Sequence, residues 1–422
     1  MKAEIITIGD EILIGQTIDT NSAWLAEHLH PLGIRVHRIL TITDTRNAIR
    51  EAVEEAFKRA DLVLMTGGLG PTQDDITKET LAEFFSTELE RNQEVLKGIE
   101  DFFRSRDRPV LEVNRAQADL PKGAVILKNT RGTAQGMWFD QNGKVLISMP
   151  GVPYEMKGIM NDGGFDMLRK RFKTPKIIHK TVLTLGIGES FLADVMSDWE
   201  TALRNEGLAL AYLPSPGLVR LRLSGFAENG TSEAVSARID HYIKELRRRM
   251  PQHVFGFEKE TIAEVTGRLL RERGATLSVA ESCTGGYVAH LLTLVPGSSE
   301  YFKGGVTAYA DSAKTELLGV PADLIERHGA VSEPVVRAMA EGCRKRFNTT
   351  YAVATSGVAG PDGGTPEKPV GTVWMAVAGP ENTVAQCLKM GRSRKGNITV
   401  SGLMALNWLR NEILSEQFEK SE

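Results

Sequence analysis

The chain has 422 residues, with 51 Lys and Arg against 54 Asp and Glu, for a formal net charge of −3. That balance gives no electrostatic case for a nucleic-acid-binding surface, and 41% apolar with 25% charged residues is ordinary for a soluble globular protein. Cys283, Cys343 and Cys387 have neither disulfide nor metal spacing, which fits a reducing cytoplasm, and no apolar run approaches membrane-spanning length.

In chain order, Ala3 to Ile8 reads as a strand ended by Gly9-Asp10-Glu11. Asp19-Thr20-Asn21-Ser22 then caps a helix over Ala23 to Leu32, which Gly33 stops. Val36 to Ile42 is a second strand, followed by Asp44 and a helix from about Arg46 to Arg59. Leu62 to Met65 is a buried strand that runs into Thr66-Gly67-Gly68-Leu69-Gly70-Pro71-Thr72-Gln73-Asp74-Asp75-Ile76-Thr77. Alternating strands and helices with a glycine-rich loop after a strand predict a doubly wound parallel α/β sheet.

That loop admits two readings. Gly67, Gly68 and Gly70 let backbone N–H groups approach a phosphate, with Thr72 beside them. Asp10, Glu11, Asp44, Asp74 and Asp75 fall at strand ends and could supply hard oxygen ligands to a divalent metal. The competing reading is a solvated turn with Asp75 or Thr77 as an N-cap. Further on, Ser86 to Arg108 reads as a helix, and Gln141-Asn142-Gly143-Lys144 as a hairpin turn between strands.

The motifs GDEIL, DTN, TGGLGPTQDD, NTRGTAQG and MPGVPYEM, over about Met1 to Arg169, resemble the N-terminal domain of the CinA family, itself similar to MoaB/MogA-like molybdopterin-binding domains. The resemblance implies an ADP-ribose pyrophosphatase that forms AMP and ribose 5-phosphate with a divalent metal, Mg²⁺ or a transition metal such as Co²⁺. It assigns Asp44 and Asp75 as paired acids, and places Asn129, Gly132, Gly136, Pro150, Gly151 and Glu155 along the ligand. Gln135 stands where the family commonly has proline.

Thr174-Pro175 reads as a boundary. The next eighty or so residues, with helices from Gly188 to about Ala202 and from Ser232 to Arg249 and strands at Ile177 to Leu185, Leu208 to Leu213 and Leu218 to Leu223, resemble the KH-like middle domain of CinA proteins. They contain no GXXG loop placed to clamp nucleic acid, so a spacer or flap is the favoured role.

The last segment holds the densest chemistry. Thr276 to Val279 is an apolar run, Ala280-Glu281-Ser282-Cys283-Thr284-Gly285-Gly286 a small-residue turn, and Tyr287 to Leu292 a helix. Such a turn suits a nucleophile, an oxyanion or a phosphate, although Ser282 or Thr284 as a plain N-cap fits equally. Tyr309 and Lys314 lie near the end of one strand and the start of its helix, and Ser356 to Gly364 is a glycine-rich loop after another strand. A lysine can serve as the base for a serine where burial favours its neutral form.

AESCTGG, YADSAK, HGAVSEPVV, SGVAGPDGG and KPVGTVW, in that order, resemble the C-terminal domain of the CinA family, which is similar to nicotinamide-nucleotide amidohydrolases. The resemblance implies deamidation of nicotinamide mononucleotide without a cofactor. Ser282 would be the nucleophile, Lys314 the base and Tyr309 a proton relay. Thr284, Gly285, Gly286, Ser356, Gly360 and Arg394 would bind substrate, Arg394 through its phosphate. Cys283 is the rival nucleophile.

The expected architecture is therefore α/β throughout: a MoaB/MogA-like three-layer domain over 1–170, an α+β KH-like domain over 174–254 and an amidohydrolase domain over 258–418. The expected state is a cytoplasmic homodimer with no membrane partner and no nucleic-acid partner. An alternative leaves one domain without catalysis and makes the N-terminal one a pterin- or nucleotide-binding module in a competence- or DNA-damage-related scaffold.

Overall fold

The computed structural model describes residues 1–72, 75–227, 232–391 and 393–419. Asp74, one of the expected metal ligands, lies outside the described residues. The chain divides into two compact units, Met1–Ile178 with Phe226–Glu233, and His179–Gly225 with Ala234–Glu422.

The first unit contains β1 (Lys2–Ile8), β2 (Arg35–Ile42), β3 (Leu62–Thr66), β4 (Leu89–Arg91), β5 (Asp119–Pro121), β6 (Val125–Leu127), β7 (Gly136–Gln141) and β8 (Lys144–Met149). β4 and β5 pair as a small ribbon, and the other six form one sheet in the order β2-β1-β3-β8-β7-β6. β2, β1, β3 and β8 are parallel, β7 pairs antiparallel to β8, and β6 pairs antiparallel to β7. The expected parallel sheet thus carries the expected hairpin at its β8–β7 end. The cause is local: Asn142 and Gly143 both adopt positive φ, the conformation of a tight hairpin, and so β7 and β8 must be antiparallel neighbours.

Successive residues of the inner strands are apolar on both faces. Ala3, Ile5, Leu62 and Leu64 pack with Leu25, Leu29 and Met156, while Ile6, Ile8, Val63 and Met65 pack with Ile49, Val53 and Leu81. A strand buried on both sides needs this pattern, and helices cover both faces. The first long helix is Thr20–Leu29, starting earlier than expected because the Asp19 carboxylate accepts from the Ser22 N–H at 2.9 Å. The expected helix over Ser86 to Arg108 shortens to Gln93–Arg104, since Asn92 caps it and the residues before it pair as β4.

The second unit holds β9 (Lys176–Leu185), β10 (Ala209–Ser215), β11 (Leu218–Ala227) and β12 (Val254–Phe257), in the order β10-β11-β9-β12. It continues with β13 (Leu277–Glu281), β14 (Phe302–Thr307), β15 (Tyr351–Gly357), β16 (Thr372–Ala378) and β17 (Thr383–Lys389), in the order β14-β13-β15-β16-β17. The two segments share one apolar core, in which Leu183, Leu185 and Phe255 pack with Ile262, Leu270, Leu406 and Leu409. The buried Arg410 ties them further by donating to the Val254 carbonyl at 2.7 Å.

β14, β13 and β15 are parallel, and β16 and β17 return antiparallel. One face of this sheet packs on helices Ile262–Glu272 and Arg394–Glu419. The other presents Ala280, Ala352, Ala354, Ala376 and Ala378 to helix Glu333–Phe347. Small side chains let that helix lie close, and a Cβ at Gly342 would overlap the Leu318 carbonyl oxygen. No helix of the described residues is long and apolar enough to cross a membrane.

Candidate functional site

In the second unit the chain leaves β13 for β14 on one side and later crosses to β15 on the other. β13 is therefore the point where strand order reverses, the place where open α/β sheets bind ligands. The register brings Glu281, Thr307 and Thr355 to the same level. Ser282, Tyr309 and Ser356 follow directly from these strand ends, along one edge of the sheet.

Ser282 is buried, and its N–H donates to the Thr355 carbonyl at 2.9 Å. Thr284 and Thr355 share a hydroxyl–hydroxyl bond of 2.7 Å. Gly285 and Gly286 both take positive φ, which lets the chain turn back into helix Tyr287–Thr293. The Gly286 N–H is not open to a ligand. The buried Glu281 carboxylate accepts from Gly286 N at 3.0 Å, Val288 N at 3.0 Å and Ala289 N at 2.8 Å. A carboxylate thus occupies the start of the helix, where an anion was expected. The Gly285 N–H is likewise committed, to the Ser282 carbonyl at 3.1 Å. The Cys283 and Thr284 N–H groups have no backbone partner among the described residues and remain the candidates for an oxyanion.

Lys314 is 1% exposed, and its Nζ donates to the Tyr309 carbonyl at 3.2 Å and to Asp311 Oδ1 at 3.1 Å. Tyr309 lies beyond the end of β14 and is largely exposed; its hydroxyl accepts from Arg394 Nη2 at 3.2 Å. Arg394 Nη1 also donates to the Gly360 carbonyl at 2.7 Å. Ser356 Oγ donates to the Ala330 carbonyl at 2.7 Å, which ties the glycine-rich loop to the HGAVSEP segment. The charges of Arg394 and Lys314 both act on the Cys283 thiol, so the two cations face the turn after β13. Burial outweighs them and pushes that thiol up to about 12, which leaves Cys283 protonated. Thr355, Asp311 and Glu281 join the site unannounced. Asp311 had a signal, standing one helical turn before Lys314, whereas the role of Glu281 depends on a turn geometry that spacing does not specify.

In the first unit, Thr7, Thr66 and Met149 align at the ends of β1, β3 and β8, so Gly9, Gly67 and Pro150 leave the sheet at one edge. The Gly67 N–H donates to the Met149 carbonyl at 3.0 Å, and Asn21 Nδ2 to the Gly151 carbonyl at 2.7 Å. A Cβ at Gly67 would strike the Ile8 carbonyl, one at Gly68 the Thr77 hydroxyl and one at Gly70 the Asp75 carboxylate. The Asp75 carboxylate accepts from both the N–H and the hydroxyl of Thr72.

Beside this loop is a cavity of about 150 Å³ lined by Gly70, Thr72, Asp75, Lys78 and Gln135. Burial pushes the Lys78 ammonium below its ordinary range, and its Nζ donates to the Ala116 carbonyl at 2.8 Å. Lys78 was not singled out from the sequence, although it directly follows Thr77 in the loop. Among the described residues, no three Asp, Glu, His or Cys side chains gather as a metal-holding group. Asp10 and Glu11 are exposed on the first turn after β1, and Asp75 is taken up by Thr72, so the expected acidic cluster does not assemble from the described residues.

Asn129 is a loop organiser. Its Nδ2 donates to Glu155 Oε2 at 2.6 Å and to the Ala134 carbonyl at 2.8 Å, and its Oδ1 accepts from the N–H groups of Arg131 and Gly132. The amide is saturated within the protein, and a Cβ at Gly132 would overlap the Glu155 carboxylate. Gly136 packs inside β7 against Leu127 and Ile159. Gln135 accepts from the Asn129 N–H at 2.9 Å, closing the loop where a proline would fix it by its ring.

Comparison with known proteins follows the same division. Residues 4–170 match a pattern described as "Probable molybdopterin binding domain", 179–256 one described as "Damage-inducible protein CinA KH domain" and 259–413 one described as "CinA C-terminal domain". A CinA-like protein from Cytophaga hutchinsonii is 47% identical, over 97% of this chain and 98% of its own. One from Flavobacterium psychrophilum is 44% identical, over 98% of this chain and 99% of its own. A solved structure from Agrobacterium tumefaciens, described as the competence/damage inducible protein CihA, is 35% identical, over 36% of this chain and 94% of its own, with a TM-score of 0.35.

Proposed function

The chain belongs to the CinA family, with MoaB/MogA-like, KH-like and CinA C-terminal segments, and from that premise we propose that its C-terminal segment is a nicotinamide-nucleotide amidohydrolase. The observation that carries this reading is the alignment of the ends of β13 and β14, which lead into Ser282 and Tyr309, with Lys314 and Arg394 both bonded to Tyr309. Ser282 Oγ attacks the carboxamide carbon of nicotinamide mononucleotide. Lys314, its Nζ oriented by the Tyr309 carbonyl and Asp311, acts as the base that takes the serine proton, passed directly or through Tyr309. The Cys283 and Thr284 N–H groups hold the oxyanion. The tetrahedral adduct collapses as its C–N bond breaks, and the nitrogen takes the proton from Lys314 and leaves as ammonia. Water then opens the acyl-enzyme, giving nicotinate mononucleotide and restoring Ser282. Arg394 takes the substrate's phosphate. Cys283, held protonated by burial, is set aside as nucleophile.

Ammonia release from nicotinamide mononucleotide tests this. Wild-type protein is expected to release it, and Ser282→Ala or Lys314→Met to lose about 10²-fold or more. No release by folded wild type, or full activity in Ser282→Ala, would sink the assignment.

For the N-terminal segment we propose hydrolysis of ADP-ribose to AMP and ribose 5-phosphate. The cavity beside the glycine loop, with Lys78 on its wall, supports a phosphorylated ligand. The described acids do not gather into a ligand set, so no step is assigned to a divalent metal. Hydrolysis that EDTA stops and Mg²⁺ or Co²⁺ restores would bring the metal back, with Asp74 among its ligands. The commitment of Asp75 to Thr72 favours a second reading, a nucleotide- or pterin-binding module without hydrolysis. Binding of ADP-ribose with no AMP formed would select it. Both substrates are fragments of NAD, and we place their salvage in the cytoplasm, carried out by a homodimer whose mass light scattering would check.

A further inference from the structure

Asn397 lies in the first turn of helix Arg394–Glu419 and is 3% exposed. Its Nδ2 donates to the Ala359 carbonyl at 3.0 Å and to the Gly391 carbonyl at 2.9 Å. Its own N–H donates to the Ser393 carbonyl at 2.8 Å. One amide therefore fastens the loop after β15 to the segment leaving β17. Three residues earlier, Arg394 Nη1 holds the Gly360 carbonyl, the neighbour of Ala359, and Nη2 holds the Tyr309 hydroxyl. Arg394 itself is exposed, a long side chain with many rotamers to lose on binding, while Asn397 is buried and its Nδ2 holds two carbonyls.

We propose that Asn397 is a positioning residue: by holding adjacent carbonyls of one loop, the Asn397 and Arg394 side chains set the guanidinium where it meets the substrate's phosphate. The proposal rests on the amidohydrolase reading and adds a residue that reading does not use. Asn397 touches neither the carboxamide nor the reacting atoms. Its loss leaves the Ala359 and Gly391 carbonyls without their donor and releases the start of the helix, so Arg394 must be ordered anew by each phosphate it binds. A ligand without a phosphate does not draw on this grip.

The test compares Asn397→Ala, Arg394→Ala and the double variant. Nicotinamide mononucleotide is the substrate, and inorganic phosphate and nicotinamide riboside are competing inhibitors. The expected result is a KM for the mononucleotide raised about tenfold in each single variant, with kcat within about threefold. The inhibition constant of phosphate weakens in step, that of the riboside stays at its wild-type value, and the double variant is no worse than Arg394→Ala alone. Equal weakening toward phosphate and riboside, a loss confined to kcat, or additive losses in the double variant would overturn the proposal. If Asn397→Ala does not fold, Asn397→Ser keeps one donor and is expected to show the same split at smaller size. Wild-type protein that leaves the mononucleotide unchanged would instead remove the amidohydrolase reading, and this proposal with it.

Discussion

Replacing Glu281 by glutamine changes one charge and almost no volume, and tests whether the nucleophile turn is held by the carboxylate behind it. Three backbone N–H groups, from Gly286, Val288 and Ala289, converge on the two oxygens at 2.8–3.0 Å. A bond to a charged group contributes about 1.5–3 kcal/mol and a neutral one about 0.5–1.5 kcal/mol. The amide can accept at one oxygen only and turns its NH₂ toward at least one of the donors. The loss is therefore one bond removed and the others weakened, partly offset by the lower cost of burying a neutral group, for a net of about 2–3 kcal/mol. Spread over a unit of this size, that is a fall of roughly 4–12 °C in the melting temperature. Helix Tyr287–Thr293 is too short to hold its shape alone, so the turn carrying Ser282 should loosen as well, and kcat for ammonia release should fall with little change in KM. Differential scanning calorimetry and initial rates on the same preparation check both halves. A Glu281→Gln protein with the wild-type melting temperature and kcat would refute the reasoning, because it would mean the cap contributes nothing.

Cys283→Ala should keep ammonia release within a few-fold of wild type and show that iodoacetamide spares the activity; loss of activity would return the thiol to the mechanism. Burial pushes Cys343 up to about 11 and Cys283 to about 12. Above about pH 9 the unfolded chain gives up these protons while the folded chain keeps them, so stability should fall by about 1.4 kcal/mol per pH unit for each thiol until the folded group titrates. Urea midpoints at pH 8 and pH 10 measure the slope, and Cys343→Ala should flatten it. Gly132→Ala drives a methyl into the Glu155 carboxylate and should cost about 1–3 kcal/mol. ADP-ribose binding by calorimetry should weaken while deamidation is untouched; a parallel loss in both activities would contradict assigning them to separate segments.

The parts of the site closest to sequence were those built from short-range rules. A run of apolar residues followed by Ser282-Cys283-Thr284-Gly285-Gly286 turns sharply wherever it occurs, and Lys314 stands on the opening turn of a helix that Asp311 starts. What escaped depends on direction. Acids at strand ends are visible as a pattern, but which way a carboxylate points is settled by its nearest donor, and for Asp75 that donor is Thr72. Asn129 was placed along the ligand by the family resemblance; in the structure its four hydrogen bonds close its own loop. Asn397 reaches a carbonyl 38 residues away, a pairing no window of sequence contains. The antiparallel neighbours in the first sheet were legible in the Asn142-Gly143 hairpin turn. The shared core of the second unit was not, because it depends on side chains such as Leu183 and Leu409 that local pattern leaves unassigned to any partner.

The antiparallel return of β16 and β17 divides the labour of the second unit between two rims. Each strand that runs away from the Ser282 edge is followed by one that runs back, so the turns after β13, β14, β15 and β17 all open on the same side. The far rim holds a hydroxyl clasp between Thr276 and Thr350 and the tight turn from Gly379 to Asn382. Such a molecule has a working side and a handling side. Added sequence, a surface tether or a fluorescent label at Pro380 or Glu381, both exposed, would ride on the rim opposite Ser282.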